Sequence, residues 1–64
     1  MKPTQVRVDA TVSCPEDRGE KSYKGQVLSV QPEVHKNHQG IEYVWVEVRH
    51  PSGSKHIWPS SRLQ

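Results

Sequence analysis

Within Ile41–His50 two apolar sets alternate along the chain, with Val44, Val46 and Val48 on one side of an extended backbone and Ile41, Tyr43 and Trp45 roughly on the other. A period of two belongs to a strand, and a strand apolar on both sides in its first half must be covered twice. One small core cannot take both sets. Either the aromatic set fills the interior while the valines cover an open end, or the valines fill it and the aromatics face something else.

The same period recurs elsewhere. Gln5–Val12 places Val6, Val8, Ala10 and Val12 on one face and Arg7, Asp9 and Thr11 on the other, which predicts a first strand. Tyr23–Val30 predicts a second, with Gly25 marking a bulge or a close backbone approach. Lys55–Trp58 predicts a short strand ended by Pro59, joined to Ile41–His50 by the turn His50-Pro51-Ser52-Gly53-Ser54. Pro59–Leu63 fits one 3₁₀ turn that returns Leu63 to the core. Nine of the thirteen Val, Ile and Leu residues are valine, a composition that favours strand over helix. Ser13–Ser22, with Cys14-Pro15, Glu16-Asp17 and Gly19, reads as a solvated loop, and Gln31–Gly40 as a polar hairpin loop. The expected fold is all-β, about five antiparallel strands that close their hydrogen bonding by curling into a small barrel or by pairing with another chain.

The chain has 64 residues, enough for one domain, 1–64, with residues 1–4 expected to lie outside its ordered part. Only 31% of it is hydrophobic. Nine Lys/Arg against seven Asp/Glu give a net charge of +2, which permits an anionic partner without the excess of a dedicated nucleic-acid binder. The one cysteine, Cys14, excludes an internal disulfide and a cysteine-based zinc site. No stretch approaches the length of a membrane span, and Met1–Gln5 lacks the apolar run of a signal peptide, so a cytoplasmic protein with no membrane partner is expected.

The run from His50-Pro51 through Ile57-Trp58-Pro59 to Leu63 resembles the end of an SH3-like barrel, and Trp58-Pro59-Ser60-Ser61 resembles the aromatic-proline-serine run that ends many signalling SH3 domains. Tyr23-Lys24-Gly25-Gln26-Val27 together with that C-terminal run is similar to the plasmid-borne type II dihydrofolate reductases. In those small SH3-like barrels an aromatic residue precedes a Gly-Gln-aliphatic strand, and a His-Pro-Gly-Ser turn leads into Gln-Ile-Tyr-Pro and a leucine. The resemblance implies an SH3-like barrel and a plasmid or phage origin. It also implies a homotetramer in which His56, Ile57 and Trp58, at the positions of the family's Gln-Ile-Tyr triple, line a pore for folate and NADPH.

Read residue by residue, the chain points to a binding or accessory module rather than a self-contained catalyst. It carries no phosphate-binding glycine loop, no paired catalytic carboxylates on a common strand and no nucleophile elbow. Glu16 and Asp17 beside Cys14 oppose its activation as a nucleophile. His35 and His38 lie three apart with His50 and His56 elsewhere, a spacing that falls short of a metal set, so neither metal nor cofactor is expected outside the reductase reading. Tyr43, Trp45 and Trp58 with His56, Ile57, Lys24, Arg49 and Lys55 make the candidate contact surface, aromatic and basic together. The expected partner is nucleic acid or a protein of nucleic-acid metabolism. The alternatives are the reductase-like homo-oligomer and a protein-binding module that adds a strand to its partner.

Overall fold

Alternating valines generate the spine of the molecule. In the computed structural model, which describes residues 1–64, β1 spans Thr11–Cys14, β2 Tyr23–Val30, β3 His35–Lys36, β4 Glu42–Tyr43, β5 Trp45–Arg49 and β6 Lys55–Pro59. Two 3₁₀ turns, Pro3–Gln5 and Ser60–Arg62, complete the elements. Strands β1, β2, β5 and β6 form a four-stranded antiparallel sheet in the order β1-β2-β5-β6, and β3 pairs with β4 as a separate two-stranded piece.

Cross-strand partners settle which face is which. Val12 lies opposite Gly25, Val27 opposite Val48 and Val46 opposite Trp58, so one face of the sheet is a continuous apolar surface. Val12, Val27, Val46 and Val48 are fully buried there with Cys14, and Val6, Val44, Trp58 and Leu63 complete the core. The valines of Ile41–His50 therefore take the interior, and Tyr43 and Trp45 do not. Valine suits this place because its branched, short side chain packs on a pleated surface without demanding depth.

Gly25 allows the close approach between β2 and β5. A Cβ there would collide with the Val48 side chain and come 2.7 Å from the Arg49 carbonyl oxygen. The bulge itself falls further along β2, where the register with β5 shifts between Val27 and Ser29.

Several expectations are corrected. The sheets are not closed into a barrel: the C-terminal chain meets β1 only where Gln64 and Ser13 exchange two backbone hydrogen bonds, at 2.7 and 3.1 Å, and β6 itself has no partner on its outer edge. Strands number six where about five were expected, because β3 forms inside the expected polar hairpin loop Gln31–Gly40 and the expected strand Ile41–His50 is broken at Val44 into β4 and β5. Asn37 makes the β3–β4 pairing possible, its side-chain oxygen accepting from the Gln39 and Ile41 amides at 2.8 and 3.0 Å and turning the chain at Gly40.

The expected strand Gln5–Val12 is reduced to its last residues. Asp9 sits at φ 71° and the Ala10 amide bonds back to the Arg7 carbonyl, so a turn interrupts the alternation and leaves Val8 exposed. At the N-terminus Pro3 opens a 3₁₀ turn and the Met1 ammonium donates to the Ser60 and Leu63 carbonyls. The break between β4 and β5 at Val44 is held by the second 3₁₀ turn: Ser60 donates its amide to the Val44 carbonyl at 2.9 Å and accepts the Val44 amide on Oγ at 3.1 Å.

Candidate functional site

The outer face of the four-stranded sheet is covered by no other element, and its composition follows from the register. On β5 it presents Trp45, Glu47 and Arg49; opposite them on β6 stand Pro59, Ile57 and Lys55. Gln26 of β2 lies opposite Arg49, and Lys24 follows on the same side two residues away. Lys24, Arg49 and Lys55 are exposed, and Ile57 is 61% exposed.

Arg49 and Lys55 are direct cross-strand neighbours, and neither has an acidic partner, since the molecule's one ion pair joins Arg62 to Asp17 at 3.7 Å. Like charges placed opposite each other on a sheet are destabilising, by up to about 1 kcal/mol. An anion between them would relieve that repulsion. At the other end of the same face Trp45 is half-buried and edge-on to Tyr43, with ring centroids 5.4 Å apart. Tyr43 stacks in turn on His35 at 5.5 Å, so an aromatic row runs from the β3–β4 piece onto the sheet.

Trp45 stands between two shallow grooves. One, of about 280 Å³, is lined by Asn37, Tyr43, Trp45, Pro59, Ser61 and Arg62. The other, of about 400 Å³, wraps the free edge of β6 from Trp45, Ile57 and Pro59 to Asp17, Arg18 and Arg62, and the mostly inward His56 and Trp58 reach it from the edge. A planar ring entering either one meets the Trp45 indole.

Five of the eight residues expected in the site, Lys24, Trp45, Arg49, Lys55 and Ile57, thus share one face, and Tyr43 adjoins them. Trp58 and His56 do not. Trp58 lies opposite Val46 and is 7% exposed, donating its indole N–H to the Tyr23 hydroxyl at 2.8 Å, with the Arg62 guanidinium 5.1 Å from its ring centroid. His56 lies opposite Val48, on the inner side. His56, Ile57 and Trp58 enter the expected surface together as three consecutive residues, and a strand sends neighbours to opposite sides, so they cannot all share one face.

That inner end gathers residues the sequence left scattered. His50 and His56 stack at 4.9 Å, and Tyr23 contacts both rings edgewise at 4.3 and 5.9 Å. The Ser52 amide donates to His50 Nδ1 at 3.0 Å, which fixes that nitrogen as an acceptor. The remaining links then run one way: His56 Nε2 donates to Ser54 Oγ, Ser54 Oγ to Ser52 Oγ and Ser52 Oγ to His50 Nδ1. No third histidine, cysteine or carboxylate completes a metal-holding group with these rings.

Cys14 is buried beside Tyr23. Burial pushes its thiol above the ordinary cysteine value, and the Tyr23 hydroxyl pulls the other way. Burial likewise raises the Tyr23 phenol; the Trp58 N–H opposes that shift, while Cys14 and Glu20 add to it. A thiol held neutral and enclosed is a packing residue, not a nucleophile.

No family model, no curated protein and no solved structure matches this chain. No helix is long and apolar enough to cross a membrane.

Proposed function

We propose that this protein is a small binding module for single-stranded nucleic acid, with the outer face of β5 and β6 as its contact surface. The observation that carries the reading is the unpaired Arg49–Lys55 couple on the same uncovered face as the half-exposed Trp45 ring. Phosphates supply the negative charge that the couple lacks, and releasing their counterions provides sequence-independent affinity. Trp45, backed by Tyr43, offers a platform on which an unpaired base stacks. A duplex hides the faces of its bases, so the aromatic row favours a single strand.

Fluorescence anisotropy with a labelled single-stranded oligonucleotide tests this. Affinity is expected to fall steeply with salt, and replacing Lys24, Arg49 and Lys55 by glutamine to reduce the slope of log K against log salt by about 2. Trp45→Thr keeps a strand-forming residue and is expected to cost about 1–3 kcal/mol of binding. A flat salt response, or Trp45→Thr binding as wild type does, refutes the proposal.

A second reading draws on Ile57, an exposed aliphatic side chain beside Trp45. Such a patch also suits contact with a second copy, which the likeness to type II dihydrofolate reductases requires for a shared folate and NADPH pore. A stable tetramer that binds reduced nicotinamide cofactor would favour it over the first.

A further inference from the structure

Glu47 is the one acid among the outward-facing positions of β2, β5 and β6, and it lies midway between Trp45 and Arg49. Its cross-strand partners are Ile57 on β6 and Ser29 on β2, so no cation stands opposite it, and it takes part in no ion pair. For phosphate binding alone a carboxylate at this point is a liability, because it repels the backbone that Arg49 and Lys55 attract. Its position relative to the aromatic ring gives it a different use.

Trp45 to Arg49 spans roughly 13 Å of strand, with Glu47 about 7 Å from either end. A base stacked on Trp45 lies flat against the indole and extends its edge sideways along the sheet, while the attached phosphate reaches the Arg49–Lys55 couple. The edge then falls over Glu47. An ionised carboxylate only accepts hydrogen bonds. It pairs with the exocyclic amine of cytosine, adenine or guanine, whereas on thymine the single N–H is flanked by two carbonyl oxygens that repel a carboxylate.

Resting on the nucleic-acid reading above, we infer that Glu47 is the specificity-determining residue of this face and selects single strands whose stacked base carries an exocyclic amine, cytosine, adenine or guanine, over thymine or uracil. The cations and the ring supply affinity without sequence information, and the carboxylate between them supplies the discrimination.

The test compares labelled oligo(dC), oligo(dA) and oligo(dT) octamers at low salt, using anisotropy with wild-type protein, Glu47→Thr and Glu47→Gln. Wild type is expected to hold oligo(dC) and oligo(dA) about fivefold or more tighter than oligo(dT). Glu47→Thr keeps a strand-forming residue but cannot reach the base, and is expected to bring all three affinities to a ratio near one. Glu47→Gln is expected to recover oligo(dT) in particular, because its amide N–H₂ donates to O4; being nearly isosteric, it carries the test if the threonine variant fails to fold. Equal, salt-dependent binding of the three octamers by wild type overturns the role of Glu47 and leaves the nucleic-acid reading intact. An unchanged preference in both variants does the same. Binding of none of them overturns both.

Discussion

Ser60 shows how much a single polar side chain can hold in a chain with so little apolar mass. It is fully buried, and it satisfies both backbone groups of Val44 at the point where β4 gives way to β5. Its carbonyl accepts from the Met1 ammonium and the Leu63 amide. Ser60→Ala leaves the buried Val44 amide without an acceptor and is expected to destabilise the fold by about 1–3 kcal/mol, read from urea unfolding. Cys14 and Tyr23 carry a second residue-level expectation. Both are acids raised above their ordinary values of 9.0 and 10.0 by burial, so above those values the unfolded chain releases protons that the folded one retains. Their contribution is whole below pH 9.0 and is lost as pH climbs through the raised folded values. Thermal melts from neutral to strongly alkaline pH should show a falling midpoint, with a shallower early fall in Cys14→Ala; a midpoint indifferent to alkali contradicts this.

At the scale of elements, the sequence was read best where the period of two runs unbroken. Tyr23–Val30 and Lys55–Trp58 are strands as their alternation demands, and the 3₁₀ turn follows Pro59. Alternation failed at Gln5–Val12, where one left-handed residue, Asp9, outweighed four correctly spaced apolar ones. Two-residue strands such as β3 carry no periodic signal at all, since their pairing is set by the Asn37 turn rather than by their own side chains. Part of the outer face was legible for the same reason: Trp45 and Arg49 share a parity within one strand, whereas placing Lys55 opposite Arg49 needs the turn geometry and Glu47, between Trp45 and Arg49, was not among the candidate residues. The Ser13–Ser22 segment illustrates the limit. Its composition marks a solvated loop, and within it Asp17 and Glu20 exchange backbone bonds across a tight turn in which Arg18 and Gly19 have φ of 50° and 83°. Both central residues are left-handed, which suits glycine and asparagine and strains arginine. Arg18→Asn is expected to raise stability by up to about 1 kcal/mol, seen as a higher urea midpoint with an unchanged slope.

For the whole molecule the decisive property is that the outer face of the sheet stays uncovered. If that face awaits a nucleic acid, the free protein should sediment as a monomer at micromolar concentration and remain one in excess NADPH. A concentration-dependent tetramer would instead assign Ile57 and its neighbours to contact between copies. The missing closure has a mechanical side as well. With β2 and β5 joined along the middle, the far margin is fastened by the Ser13–Gln64 exchange, the Trp58–Tyr23 hydrogen bond and the Arg62–Asp17 pair, and the molecule is built like a book with a clasp. Opening it means breaking all of these at once and lifting Leu63 off the valines, so Cys14, the next residue along from Ser13, is kept from solvent by a seam of several unlike ties.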